Sequence, residues 1–203
     1  MSPPGGLSER APGGPPGAGG PPDPAGPPDA LARLRALLRD EGGLIASLVG
    51  DGDGVGDGEC DSPASAAAQG PRAQGRREEY ELLVEAIYEG YLLHYGAPRV
   101  VRTPEADLRV LAGDRLYAIG LARLVALGDT LAVAELADTI TLSALAQGAG
   151  DEALAEAVWA AGARAVGWGR SEQHSRAKEL VAGGSPEAIE AMRTSSLAMP
   201  SPP

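Results

Sequence analysis

The sequence predicts an all-α protein. Apolar residues recur at the three- and four-residue spacing of helices in one run after another, and Asp or Ser stands at the head of several runs, as helix caps do. No alternating stretch of Val, Ile, Thr or aromatic residues bounded by turns is present to make a strand. The expected architecture is a compact helical bundle with a disordered N-terminal arm and an internal linker.

Residues 1–28 contain ten Pro and eight Gly, with Leu7 the only large apolar side chain. Such a stretch buries too little surface to offset its ordering entropy and is expected to be a disordered arm. Asp29–Arg39 reads as a short amphipathic helix. Asp29 caps it, Leu31, Leu34, Leu37 and Leu38 form its stripe, and Gly42–Gly43 stop it, in a segment spanning 29–49. Residues 50–75, acidic and then alanine-rich, read as a flexible linker.

The main helical domain is placed at 76–193, a normal single-domain size. Its first helix covers Arg76–Tyr95 and stops at Gly96 ahead of Pro98. The second is expected from Pro104 to Leu127, with Thr103 as cap. It is apolar on most sides, the pattern of a helix central in a bundle. Gly113 and Gly120 share one face of it and suit the close approach of a neighbour. Asp129 and Asp151, each after glycine, start helices to about Gln147 and Gly167. Ser171–Ala182 is a further helix, and Ser185–Pro186 begins a last one to Arg193. Residues 194–203 read as a disordered tail.

The net charge of −11 argues against a phosphate-neutralising nucleic-acid surface. Cys60 is the only cysteine, so no intramolecular disulfide is possible. No secretory signal and no membrane span is visible, and the expected location is cytoplasmic. DGDGVGDGE at 51–59 resembles a calcium loop, but Val55 and Ser62 occupy ligand positions, so it reads as solvated linker. His94 and His174 have no neighbour at metal-ligand spacing. Glu135 with Asp138, and Glu152 with Glu156, share helix faces and could hold Mg²⁺, but solvated faces are the preferred reading. Catalytic residues, cofactors and metal ligands are therefore expected to be none. The unusual feature is a tyrosine stripe, Tyr88, Tyr91 and Tyr95, with His94 beside it. With Asp114 and Tyr117 it is the candidate pocket wall or partner surface.

Leu111-Ala112-Gly113-Asp114-Arg115-Leu116-Tyr117-Ala118, within 107–129, resembles a helix of the trans-isoprenyl diphosphate synthase superfamily. The likeness extends over about 75–168 and is nearest in character to the small, non-catalytic subunit of heptaprenyl diphosphate synthases. Where that superfamily carries His-Asp-Asp, this chain has His94-Tyr95-Gly96, and no second aspartate-rich motif follows. The carboxylates that would hold metal against a diphosphate are missing. The resemblance thus implies part of a polyprenyl synthase fold and a non-catalytic subunit. The expected partner is a protein: a catalytic isoprenyl diphosphate synthase chain, or a second copy. The alternative expectation is a general helical scaffold recruited through the N-terminal arm.

Overall fold

Glycine-to-aspartate junctions restart helices along the chain. Gly128 and Gly150 adopt left-handed φ values of 77° and 73°, and the amides of Asp129 and Asp151 then reach back to the carbonyls of Leu124 and Ala146. The same aspartates accept from Ala132 N (3.0 Å) and Leu154 N (2.9 Å), capping the helices that follow. One short, polar-capped turn thereby ends one helix and begins the next.

The computed structural model describes residues 29–51, 62–103 and 105–197. Among them are nine α-helices and no strand: α1 Ala30–Glu41, α2 Gly43–Ser47, α3 Pro63–Ala68, α4 Arg77–Tyr95, α5 Ala106–Ala126, α6 Thr130–Gly148, α7 Glu152–Trp168, α8 Glu172–Ala182 and α9 Ala188–Leu197. A 3-10 turn at Pro71–Ala73 precedes α4. The protein is an all-α bundle, and no described helix is long and apolar enough to cross a membrane.

Helix α7 is the axis. It packs against α3, α6 and α9, and ten of its 17 residues are buried, most of them Ala, Gly or Val around Trp159. Small side chains let the neighbours close in. A Cβ on Gly167 would collide with the backbone of Ala67, one on Gly70 with Gly167, and one on Gly162 with Thr139. Helix α4 holds the other half together, packing against α1, α3 and α5. Its Gly90 faces Gly113 of α5, and Gly120 faces Ile87 and Leu83, so the two expected glycines do admit a close crossing.

Several boundaries differ from the sequence reading. Residues 62–75 are not linker: α3 inserts Ala64 and Ala67 into the core against α7, because alanine is small enough for that crossing. Residues 194–197 are not tail, since α9 runs to Leu197 and buries Met192 and Ser195. Helix α9 begins at Ala188, after Ser185, whose Oγ accepts from Glu187 N. Helix α5 begins at Ala106 rather than at Pro104, with Thr103 Oγ1 accepting from Glu105 N.

Residues 29–49 dock on the main bundle. Leu34, Leu37, Leu38 and Ile45 share a core with Ala86, Leu93, Leu116 and Ile119. Val49 and Val101 form an antiparallel bridge, with Gly50 N donating to Val100 O (2.9 Å) and Arg102 N to Leu48 O (2.8 Å). The aspartates of the calcium-like run after Asp51, and Cys60, lie outside the described residues.

Candidate functional site

Helix α5 was expected at the centre of the bundle. Instead it packs chiefly on α4 and buries six of its 21 residues: Ala112, Gly113, Leu116, Ile119, Gly120 and Leu124. Its other side stays open. Leu111, Arg115, Ala118, Ala122 and Val125 follow each other at alternating steps of four and three, the spacing of a helix–helix seam, and all five are exposed. Leu111 and Val125 are 59% and 57% exposed. The apolarity that suggested a central helix belongs to a helix with two largely apolar faces, of which the described residues cover one.

At its N-terminal end the seam opens into an apolar groove of about 320 Å³ between α2 and α5, with Leu44, Ile45, Leu48, Leu108 and Leu111 in its walls. Glu41 stands at the mouth. It accepts from Arg115 Nη2 (2.9 Å) and Arg123 Nη2 (3.0 Å), tying the end of α1 to α5. These ion pairs are exposed and contribute little to stability. They hold two long cationic side chains along one margin of the seam.

The other margin is aromatic. The sequence-derived candidates Tyr88, Tyr91, His94, Tyr95, Asp114 and Tyr117 form one contiguous group there. Ring centroids lie 5.9 Å apart for Tyr88–Tyr91, 5.4 Å for Tyr91–Tyr95 and 5.8 Å for His94–Tyr95. His94 stacks on Tyr117 at 5.4 Å, and its Nε2 lies 3.2 Å from Asp114 Oδ1, out of line for a hydrogen bond. The sequence did not identify Trp159, which meets Tyr88 and Tyr91 at 5.0 and 5.2 Å from α7. Burial raises the hydroxyl pKa values of Tyr88, Tyr91 and Tyr117. Tyr91 Oη accepts from Gln147 Nε2 (2.7 Å), while Tyr95 is half-exposed at the edge.

Two buried carboxylates fix the helices behind this face. Glu89 accepts from the backbone amides of Arg99, Val100 and Val101 at 2.6–3.1 Å, folding the α4–α5 connector onto α4. Glu85 pairs with the Arg99 side chain. Burial raises its pKa, against the pull of Arg99. The guanidinium of Arg99 also lies 5.2 Å over the Tyr88 ring. The spacing 81, 85, 89 was a signal that these acids share one face, but nothing local marked that face as buried.

A second polar cluster joins α6 to the C-terminal hairpin of α8 and α9. Glu135 is 3% exposed and so is not the solvated acid expected from sequence. It receives His174 Nε2 (2.6 Å), Lys178 Nζ (2.9 Å) and Arg170 Nε (3.3 Å). Burial raises its pKa, but His174 and Lys178 outweigh that and hold the carboxyl below its ordinary value. Lys178 Nζ also binds Asp138 (2.7 Å), so an ammonium bridges the pair of acids that had suggested Mg²⁺. His174 Nδ1 lies 3.3 Å from Ser195 Oγ. Hydroxyl, imidazole and carboxylate stand in the order of a nucleophilic triad. However, Ser195 Oγ donates to Met192 O (2.9 Å) and all three side chains are buried, so an acyl group has no path to the hydroxyl. The cluster is a fastener between helices.

Across the whole site, what lies open to a ligand is the outer face of α5: apolar along its centre, aromatic on one side, cationic on the other. The chain matches no family model, and no curated protein and no solved structure is significantly similar to it.

Proposed function

We propose that this protein is a non-catalytic helical subunit that acts by docking the outer face of α5 on another protein chain. The observation that carries the reading is the exposed seam from Leu111 to Val125, apolar except for Arg115, on a helix whose opposite side already fills the core. Water is a poor partner for such a face, and covering it removes apolar surface at roughly 25 cal/mol per Å². The helix is also the segment whose 111–118 run resembles the isoprenyl diphosphate synthases. On that resemblance the partner is the catalytic chain of a polyprenyl diphosphate synthase. At the position where that superfamily carries its first aspartates, Tyr95 packs against Tyr91 and takes part in the aromatic margin.

The test is reconstitution. The full-length protein is mixed with the catalytic polyprenyl synthase chain of its own organism, and co-elution and product length are measured. The expected outcome is a stoichiometric complex that Leu111→Glu and Val125→Glu each dissolve. A catalytic chain that never co-elutes, and whose products are the same with and without this protein, overturns the assignment.

A further inference from the structure

A second concave surface lies on the C-terminal hairpin, and its chemistry differs from that of the α5 face. Helix α8 packs inward on α6 and α9 on α7, burying Ala177, Val181, Ala188 and Met192. Between the outer sides of the two helices runs an open groove of about 880 Å³. Its floor is apolar. It is made by Ala177 with Leu180 and Ala191, which are only partly covered by the core. One wall carries Glu172 and Arg176, four residues apart on α8. The other carries Glu187 at the entrance of α9 and Glu190 one turn later.

The charges of the groove do not balance. Glu172 and Arg176 are taken by each other. No cation of the described residues pairs with the carboxylate of Glu187 or Glu190. Three carboxylates face one guanidinium, so two negative charges are left over, and both stand on the α9 wall. The whole chain, at −11, adds to their field instead of offsetting it.

We propose that the α8–α9 groove receives a cationic amphipathic helix of a protein partner. A helix docks in a groove when one apolar stripe meets the floor and its flanks match the walls. Ala177 and Ala191 are small and leave room for the large side chains of such a stripe. Lys or Arg on the flank toward α9 meets Glu187 and Glu190, whose spacing of three residues is that of neighbours on a helix face. On the flank toward α8, Arg176 is already satisfied by Glu172, so an uncharged polar edge fits there. An acidic segment or a phosphate is repelled by the α9 wall. The remainder of this chain does not supply the cations: Arg10 is the one Lys or Arg among residues 1–28, 52–61 and 198–203. Nor does the outer α5 face of a second copy, since its Arg115 and Arg123 are both held by Glu41. The fastener of Glu135, His174 and Lys178 fixes α8 before any partner arrives, which lowers the ordering cost of binding.

The measurement is fluorescence anisotropy of a labelled synthetic helix titrated with the full-length protein. The probe carries leucines at i, i+3, i+4 and i+7 and lysines along one flank. Saturable one-to-one binding that weakens with salt is expected. A peptide with glutamate for each lysine should not bind, and neither should one of the same composition scrambled to break the apolar stripe. Glu187→Lys with Glu190→Lys turns two attractions into repulsions and should weaken the probe by about tenfold or more. Asp40→Lys with Glu105→Lys changes the net charge equally at exposed positions outside the groove and should weaken it by less than about threefold. All four positions are exposed, so helicity should be unchanged. Equal losses from the two pairs of reversals would show attraction to net charge alone and overturn the proposal. So would a scrambled peptide that binds as well, or no saturable binding at about 200 µM protein. Leu111→Glu should leave the affinity for the probe unchanged, so this groove and the α5 docking face stand or fall separately.

Discussion

Helices α5 and α7 are alike in composition and opposite in environment. Both carry many Ala, two Gly and two Val, and neither has a face of continuous charge. Helix α7 is enclosed by α3, α6 and α9, with ten of 17 residues buried. Helix α5 leans on α4 and buries six of 21. Apolarity around a helix therefore states only that most of its surface avoids water. It does not state whether the same chain provides the cover. In α7 the neighbours are fixed by glycine crossings at 162 and 167. In α5 the glycines at 113 and 120 lie on the α4 side alone, and the opposite side, built from Leu, Ala and Val with Arg115, is left open by the described residues. The placement of glycine, rather than the count of apolar residues, separates the two.

The comparison breaks most sharply at the α3–α7 crossing. A valine at Gly167 would drive its Cβ into the backbone of Ala67, and backbone cannot swing aside as a long side chain can. Gly167→Val should lower stability by more than about 4 kcal/mol and is expected to abolish the cooperative transition in urea. Trp159→Ala, which empties the space between α7 and the tyrosine stripe, should cost about 3–5 kcal/mol. On the buried side of α5, Leu124→Ala should fall in the range of about 2–5 kcal/mol. If Gly167→Val unfolded at the wild-type midpoint, the tight crossing that makes α7 central would be refuted.

The next effect is electrostatic and pH-dependent. Glu135 and Asp129 both have folded-state pKa values below their ordinary ones. For Asp129 burial opposes the shift, and Tyr80, the Ala132 amide and Arg72 overcome it. The folded protein thus binds these protons more weakly than the unfolded chain does. Their stabilisation is present above the unfolded carboxylate values of about 4, and it is lost as pH falls through the lowered folded values. Glu85 has the opposite sign. Its carboxyl is held up by burial, so its charge is a penalty at neutral pH that disappears as pH falls through the raised value. Glu135→Gln leaves Lys178, His174 and Arg170 without their shared counter-charge and should cost about 2–4 kcal/mol at neutral pH. It should also flatten the acid limb of stability measured by urea unfolding between neutral and acid pH. An acid limb as steep as in the wild type would show that Glu135 does not fasten the α8–α9 hairpin.

What the sequence revealed was local, and what it hid was tertiary. Asp29, Asp129 and Asp151 were legible as helix starts because a cap and its amides lie within three residues. The tyrosine stripe was legible because Tyr88, Tyr91 and Tyr95 ride one helix. Trp159, which completes the group, comes from 64 or more residues farther along and carried no local mark. Helix α3 was hidden because a run of Ser, Ala and Gln has the same composition whether it is solvated or pressed against a glycine. Glu135 was misread for a related reason. Its cations stand at 170, 174 and 178, and only the folded α8 brings them to α6.

The smallest predicted effect bears most directly on function. Within α5 the comparison can be made between two leucines on one helix: Leu124 is fully buried, whereas Leu111 is 59% exposed and faces outward. Leu111→Gln and Val125→Gln remove little that the single chain buries, and glutamine is nearly as good a helix former as leucine. Their effect on unfolding of the protein alone should stay within about 0.5 kcal/mol. A much larger loss would mean that the outer face supports the fold of the single chain, and its apolar residues would need no partner to explain them. A neutral result leaves the seam with no role inside the single chain. The apolar side chains at 111 and 125 are then accounted for by what they meet outside it, because exposed Leu and Val gain nothing in water that Gln would not supply.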